Sequence, residues 1–136
     1  MAINFDNSKQ ININKLKQLY DDVQWHVYTK DLTILNQAIL HSLEVITAWD
    51  KEKLVGLIRV VGDGSTIIYI QDILVLNDYQ NQGIASELMQ KMLNKYHQVR
   101  QKVLLTDESE KVRHFYEKHG FNSCDKGALV AFAKMD

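Results

Sequence analysis

A chain of 136 residues with 46% apolar content suits one domain, residues 1–136, built around a single core. Its net charge of −1 arises from interspersed acids and bases, which argues against the basic stripe of a nucleic-acid surface. No apolar run approaches the roughly 20 residues that span a bilayer. The opening MAINFDNSKQ has no charged-then-apolar signal pattern, and the lone Cys124 has no intrachain disulfide partner, so a cytoplasmic protein is expected.

Ile3–Phe5 reads as a short first strand. A helix follows from Asn12, with Leu16, Leu19, Tyr20 and Val23 on one side and either Asn12 or Asn14 as its cap. The segment from Gln24 to Lys30 holds two aromatics, Trp25 and Tyr28, and shows no helical period. Asp31 is placed to cap a second helix bearing Leu32, Leu35, Ile39 and Leu43. Val45–Trp49 and Leu54–Val61 read as strands around the polar turn Asp50-Lys51-Glu52-Lys53. Arg59, in the second of them, is expected on the outer face or reaching toward a ligand. Gly62-Asp63-Gly64-Ser65 suits a hairpin connection. It leads into a strand and lacks the Lys-Ser/Thr of a phosphate loop, so that reading is set aside.

Ile67–Leu76 forms a long strand rich in β-branched residues, as burial on both faces requires. Ile84, Ala85, Leu88, Met89, Met92, Leu93 and Tyr96 then recur at helical spacing. Between them lies Gln80-Asn81-Gln82-Gly83-Ile84-Ala85. Gly83 removes a side chain where the helix begins, so a ligand can approach the backbone. The first-turn N–H groups and the positive end of the helix dipole make an anion site there. Downstream, Val99–Thr106 reads as a strand with Val103, Leu104 and Leu105 buried. Asp107 or Ser109 starts a helix with the stripe Val112, Phe115, Tyr116 and His119, and Gly120 stops it. Phe121–Cys124 and Ala128–Ala133 read as two closing strands, with Cys124 a packing residue. The five histidines form no Cys/His cluster, so no metal site is expected.

Two segments carry a family resemblance. The turn Gln80-x-x-Gly83-x-Ala85 resembles the pyrophosphate-binding pattern of the GNAT superfamily of N-acetyltransferases. Phe115-Tyr116-Glu117-Lys118-His119-Gly120-Phe121 resembles that family's second signature, and a strand separates the two. The resemblance covers Val45–Met135 and implies an α/β (α+β) fold, a mixed central sheet with splayed parallel strands flanked by helices. It also implies transfer of an acetyl group from acetyl-CoA to a primary amine by direct attack.

Residue by residue, the resemblance implies that backbone groups of Leu74, Val75 and Leu76 pair with the pantetheine arm as an added strand would. Gln80 belongs to the pyrophosphate turn. The N–H groups of Gln82, Gly83, Ile84 and Ala85 take the pyrophosphate, with the Ser86 hydroxyl beside them. Tyr116 falls where the family places its general acid, and a phenol is protonated at neutral pH, as a donor to a thiolate must be. Ser109 departs from the asparagine often found seven residues before that tyrosine. Trp25 and Tyr28 fall where the family builds its acceptor pocket, with closing the core as the other reading for one of the two, and Arg59 is a further candidate. Asp72 interrupts an apolar strand, so it must be paired, hydrogen-bonded or functional. It is the candidate acceptor for the amine's proton, with an orienting role as the other reading. No acidic cluster accompanies it, which favours a small, singly charged amine. A homodimer stays open.

Two other classes were weighed. A catalytically idle acyl-CoA-binding module would keep the turn, but Tyr116 speaks against it. A dinucleotide domain needs a second glycine near Ile84-Ala85-Ser86 and an acidic ribose partner, and neither is present.

Overall fold

The computed structural model describes residues 2–136, which form two compact units, one ending at Leu105 and the other beginning at Thr106. The first unit holds a five-stranded mixed sheet in sequential order. Its strands are β1 (Asn4–Asp6), β2 (Glu44–Asp50), β3 (Lys53–Gly62), β4 (Ile67–Val75) and β5 (Gln101–Leu104). The first four are antiparallel neighbours, and β4 and β5 are parallel. The hairpin between β3 and β4 is held by Asp63, whose Oδ1 accepts from the backbone N–H groups of Ser65, Thr66 and Ile67.

Three helices precede β2: α1 (Ile13–Asp22), α2 (His26–Thr29) and α3 (Leu32–Leu40). A fourth, α4 (Ile84–Lys95), joins β4 to β5. Local capping sets their starts. Asn12 Oδ1 accepts from Asn14 and Lys15, and Asp31 Oδ1 from Ile34. Of the two expected caps for α1, Asn12 does the work. Leu16, Leu19 and Tyr20 of α1 and Leu35 and Ile39 of α3 are buried. Helix α4 covers the opposite sheet face. Gly56 of β3 lies against it, since a Cβ there would stand 3.3 Å from both Ile84 and Leu88. Three residues on, across the pleat, Arg59 faces the α1 side.

The short helix α2 corrects the expectation of an irregular segment. Helix α1 ends with Gln24 in a left-handed conformation (φ 65°), Trp25 N–H bonded to Tyr20 O and Gln24 N–H to Asp21 O. This stop turns the chain directly into α2. Asp21 then holds α2 by accepting from Thr29 Oγ1 at 2.5 Å, with His26 Nδ1 at 3.0 Å.

In the second unit, α5 (Glu110–Lys118) is capped by Ser109, whose Oγ accepts from Val112 N–H. Two sequence expectations fail nearby. Phe121–Cys124 and Ala128–Ala133 enter no sheet: a single 3₁₀ turn covers Cys124–Lys126, and residues 127–136 carry neither helix nor strand. The continuous apolar run Ala128–Ala133 suits a strand, but a strand is stabilised by cross-strand neighbours that the local sequence does not supply. Leu129, Val130 and Phe132 are exposed, and so is Cys124, which is therefore not a packing residue. Strand β5 is also shorter than expected, its Val103 and Leu104 only half-buried and Leu105 exposed. No helix among the described residues is long and apolar enough to cross a membrane.

Candidate active site

Strand β4 outruns its parallel neighbour. The last β4–β5 pair is Ile70 with Leu104, and residues 71–75 continue beside β3 with no strand among the described residues paired along their other edge. At the parting point β4 carries a bulge. Arg59 pairs with Asp72 and Val60 with Ile70, so Gln71 is an extra residue. In a regular strand Gln71 and Asp72 point to opposite faces. Here both side chains reach the Tyr28 hydroxyl: Gln71 Nε2 donates to Tyr28 Oη at 3.0 Å, and Tyr28 Oη donates to Asp72 Oδ1 at 2.7 Å.

Asp72 is 1% exposed and fully engaged. Its Oδ2 accepts from Arg59 Nε at 2.8 Å and from Tyr20 Oη at 2.9 Å. Arg59 Nη1 reaches on to Ser42 Oγ at 3.3 Å. Arg59 is thus buried against Asp72, which replaces the expected outward placement. Burial works against its charge, but the adjoining carboxylate outweighs that and raises its pKa. Burial, and then the Asp72 charge, hold Tyr20 well above the usual phenol range and raise Tyr28, so both hydroxyls keep their protons. Tyr20, Trp25 and Tyr28 form a tilted aromatic cluster with centroid separations of 5.1–6.2 Å. Trp25 and Tyr28 are half-buried.

Beyond β4 the chain makes one 3₁₀ turn (Asn77–Tyr79) and enters α4 through Gln80–Gly83. Leu76 N–H donates to Val55 O, tying the strand end to β3. Gln80 is exposed but folds back on the turn: its Nε2 donates to Val75 O at 3.0 Å and to Asn77 Oδ1 at 3.2 Å, which braces it. Gly83 is left-handed (φ 84°), caps α4 without a side-chain hydrogen bond, and has no atom within 4 Å of where a Cβ would stand. Gln82 is exposed, Ala85 and Ser86 are half-buried, and the Ile84 side chain packs inward. Leu74 and Val75 are buried within the strand.

In the second unit, Tyr116 is half-buried on α5. Phe121 N–H bonds to Tyr116 O and Gly120 N–H to Glu117 O, with Gly120 at φ 92°. This is a Schellman end, and its hydrophobic contact is the Phe121 ring against Tyr116 at 5.9 Å. The Gly-Phe pair of the sequence signature therefore fixes the tyrosine that precedes it. Burial raises the Tyr116 pKa, opposed in part by a hydrogen bond with Thr106. Among the described residues no cluster of His, Cys, Asp or Glu is arranged to hold a metal ion.

Sequence reasoning missed Tyr20, Gln71 and Ser42 as partners of the Asp72 cluster. Tyr20 was visible only as an apolar-stripe residue, and nothing in the local pattern announced the bulge.

Comparison with known proteins gives these features a context. The model of the acetyltransferase (GNAT) domain family matches residues 16–132, spanning both units. A GNAT-family acetyltransferase from Streptococcus pneumoniae TIGR4 is 33% identical, with a TM-score of 0.88 over 99% of this chain and 98% of that one. The uncharacterised N-acetyltransferase ycf52 of Porphyra purpurea is 29% identical over 119 residues, 85% of this chain and 67% of that protein. At the level of fold alone, AAC(6')-Iy, solved with the bisubstrate analogue CoA-S-monomethyl-acetylneamine, is 14% identical with a TM-score of 0.68, covering 100% of both chains. With its family model matched across most of its length and the mixed sheet shared with these structures, the chain belongs to the GNAT family of acetyltransferases and is an acyltransferase.

Proposed function

We propose that the protein is a cytoplasmic N-acetyltransferase that moves the acetyl group of acetyl-CoA directly onto the primary amine of a small molecule. One observation carries the cofactor reading. Helix α4 opens at a left-handed glycine with open space above it and no side-chain cap. Helix N-termini are usually capped by a side chain. Here no side chain caps the helix, and the backbone N–H groups of the turn with the helix dipole suit an anion such as a pyrophosphate. Gln82, Gly83, Ile84 and Ala85 supply backbone donors, Ser86 its hydroxyl, and Gln80 keeps the turn in shape. The open edge of β4 beyond Ile70 offers backbone partners for the pantetheine arm around Leu74 and Val75, where the strand ends at Leu76, whose own N–H is bonded to Val55 O. A fold relative solved with a CoA bisubstrate analogue is consistent with CoA as the ligand.

On the acceptor side, Trp25 and Tyr28 form the aromatic wall. Arg59 acts from behind it through Asp72, and Asp72 receives the proton the amine loses. Tyr116 supplies the proton to the departing sulfur. With one buried carboxylate already paired to Arg59, the acceptor site suits a small, singly charged amine better than a polycation. The test is a thiol-release screen with acetyl-CoA over ethanolamine, benzylamine, an amino-acid amide, spermidine, sisomicin and a lysine peptide. Turnover of a monoamine with release of one thiol per acetylated product is expected. Turnover of spermidine alone, with the monoamines inert, would overturn the acceptor assignment, and no thiol release from any amine would overturn the activity.

A further inference from the structure

Asp72 is sealed from solvent, so no acceptor amine touches its oxygens. A carboxylate assigned to take a proton from substrate therefore needs an intermediary, and the cluster holds one. Its Oδ2 is filled by Arg59 and Tyr20, both buried. Its Oδ1 is filled by Tyr28, whose ring is half-buried and whose oxygen also accepts from exposed Gln71. The O–H of Tyr28 is committed inward to the carboxylate. Toward solvent its oxygen can only accept, a position now taken by the amide N–H of exposed Gln71 that an amine N–H would share or replace. Its place in the fold is equally specific. The bulge that brings Gln71 and Asp72 to the same hydroxyl follows directly on Ile70, where β4 and β5 part. Bulges commonly re-aim side chains beside reaction centres.

We infer that Tyr28 is a catalytic residue, the hydroxyl through which buried Asp72 takes the proton of the acceptor amine. The inference rests on the acetyl-transfer reading above and assigns it a proton path. As the amine lone pair forms the N–C bond, nitrogen becomes cationic and acidic. Its proton passes to Tyr28 Oη while the proton of Tyr28 passes to Asp72 Oδ1. Tyr28 is a neutral phenol before and after, and Asp72 ends protonated beside Arg59. The C–S bond breaks with its electron pair going to sulfur, which takes a proton from Tyr116. Asp72 later returns its proton to water by the same hydroxyl, and Tyr116 is reprotonated from water. The raised pKa values of Tyr20 and Tyr28 agree with hydroxyls that pass protons without resting as phenolates.

The experiment is single-turnover rapid quench of acetyl transfer from acetyl-CoA to benzylamine, or to the best amine of the screen, in mixtures of H₂O and D₂O. The parent should show a bowl-shaped dependence on deuterium fraction, because two protons move together. Tyr28→Phe keeps the ring and should slow the chemical step by about 10²-fold, the lower end of general acid–base contributions. Its dependence should become linear and its acetyl-CoA affinity should stay within about twofold of the parent. Tyr96→Phe removes another tyrosine that donates to a carboxylate, Glu44, and should leave rate and curve unchanged. A linear dependence in the parent, or a Phe variant reacting at the parental rate, overturns the relay. Should Tyr28→Phe fail to fold, the parental curve decides alone. A parent that binds acetyl-CoA yet acetylates no amine overturns the proposed activity instead, and is distinguished from failure of the relay because no transfer rate exists to measure.

Discussion

Replacing Gly83 with valine separates the fold of the pyrophosphate turn from its proposed use. Gly83 stands at φ 84°, and a Cβ placed there meets no atom within 4 Å. The substitution thus introduces no internal clash, and its cost to the fold is conformational. An L-residue in the left-handed region costs about 1–2 kcal/mol, with valine at the upper end because it is β-branched. Against a typical stability of about 5–15 kcal/mol the variant should fold. The same side chain projects into the open space over the first turn of α4, where the phosphates are proposed to sit. Acetyl-CoA affinity should fall at least about tenfold, or about 1.4 kcal/mol. Gly83→Asn supplies the internal comparison. Asparagine tolerates positive φ better, so its stability loss should be smaller, while its side chain still fills the ligand's space. Calorimetric titration with acetyl-CoA, run beside thermal unfolding of both variants, reads the two effects independently. A folded Gly83→Val protein with parental affinity refutes the assignment. So does an affinity loss that merely tracks stability across the pair.

Tyr116→Phe should lower kcat about ten- to hundredfold, the low edge of the range for general acids, because water substitutes in part. Direct titration of acetyl-CoA should be nearly unchanged, and a loss of affinity in proportion to rate would make Tyr116 a binding residue. Removing one partner of the Arg59–Asp72 pair should cost about 3–5 kcal/mol in urea unfolding, since the other charge is left buried. The double variant Arg59→Met/Asp72→Leu should lose less than the sum of its single variants by at least about 2 kcal/mol, and additive losses would deny the coupling. Asp21, which anchors α2, has its pKa lowered to about 2, chiefly by its hydrogen bond from Lys17 and then by that from Thr29. A depressed carboxylate stabilises above its unfolded pKa, near 3.9, and loses that contribution as pH falls toward 2. Asp21→Asn should therefore be less stable than the parent at pH 6, with the gap shrinking as pH falls through about 2 and closing below it, and a gap that does not shrink in acid would reject the reasoning.

The elements legible in the sequence were those set by neighbours a few residues away. Asn12, Asp31 and Ser109 announced their helices because an N-cap is a contact over two or three residues. Gly120 announced the stop of α5 because glycine takes positive φ without cost. Helix α1 ends by the same hydrogen-bond pattern, but with Gln24 in the left-handed position, and glutamine carries no such signal. That one residue hid α2 and therefore the placement of Tyr28. The Gly83 turn was legible both locally and by resemblance. The environment of Asp72 was not, because Tyr28 and Tyr20 lie 44 and 52 residues from it in sequence. The sequence could say that a carboxylate in an apolar strand needs partners, yet finding them required the bulge at Gln71 and the pairing of β3 with β4.

The two halves of the first unit's candidate site are built on different physical grounds. As proposed, the turn at Gly83 uses backbone groups and one absent side chain, so the identities of Gln82 and Ala85 can vary without moving a donor. The Asp72 cluster works through side chains alone. A buried ion pair of this kind is seldom the most stabilising choice, since apolar residues of equal volume often do as well or better. Among the described residues no buried side-chain polar atom is left without a partner, so the arrangement is fully satisfied as well as costly. What it provides is placement. One carboxylate joins α1 through Tyr20, α2 through Tyr28, β3 through Arg59 and β4 through its own backbone. The aromatic wall proposed for the acceptor is thereby fixed against the strand whose open edge is proposed for the thioester arm. A nucleophile must approach its carbonyl to within about 3–3.5 Å in the right direction. A core contact that ties both walls to a single atom group fixes their separation, whereas a leucine in place of Asp72 would fill the same volume without doing so.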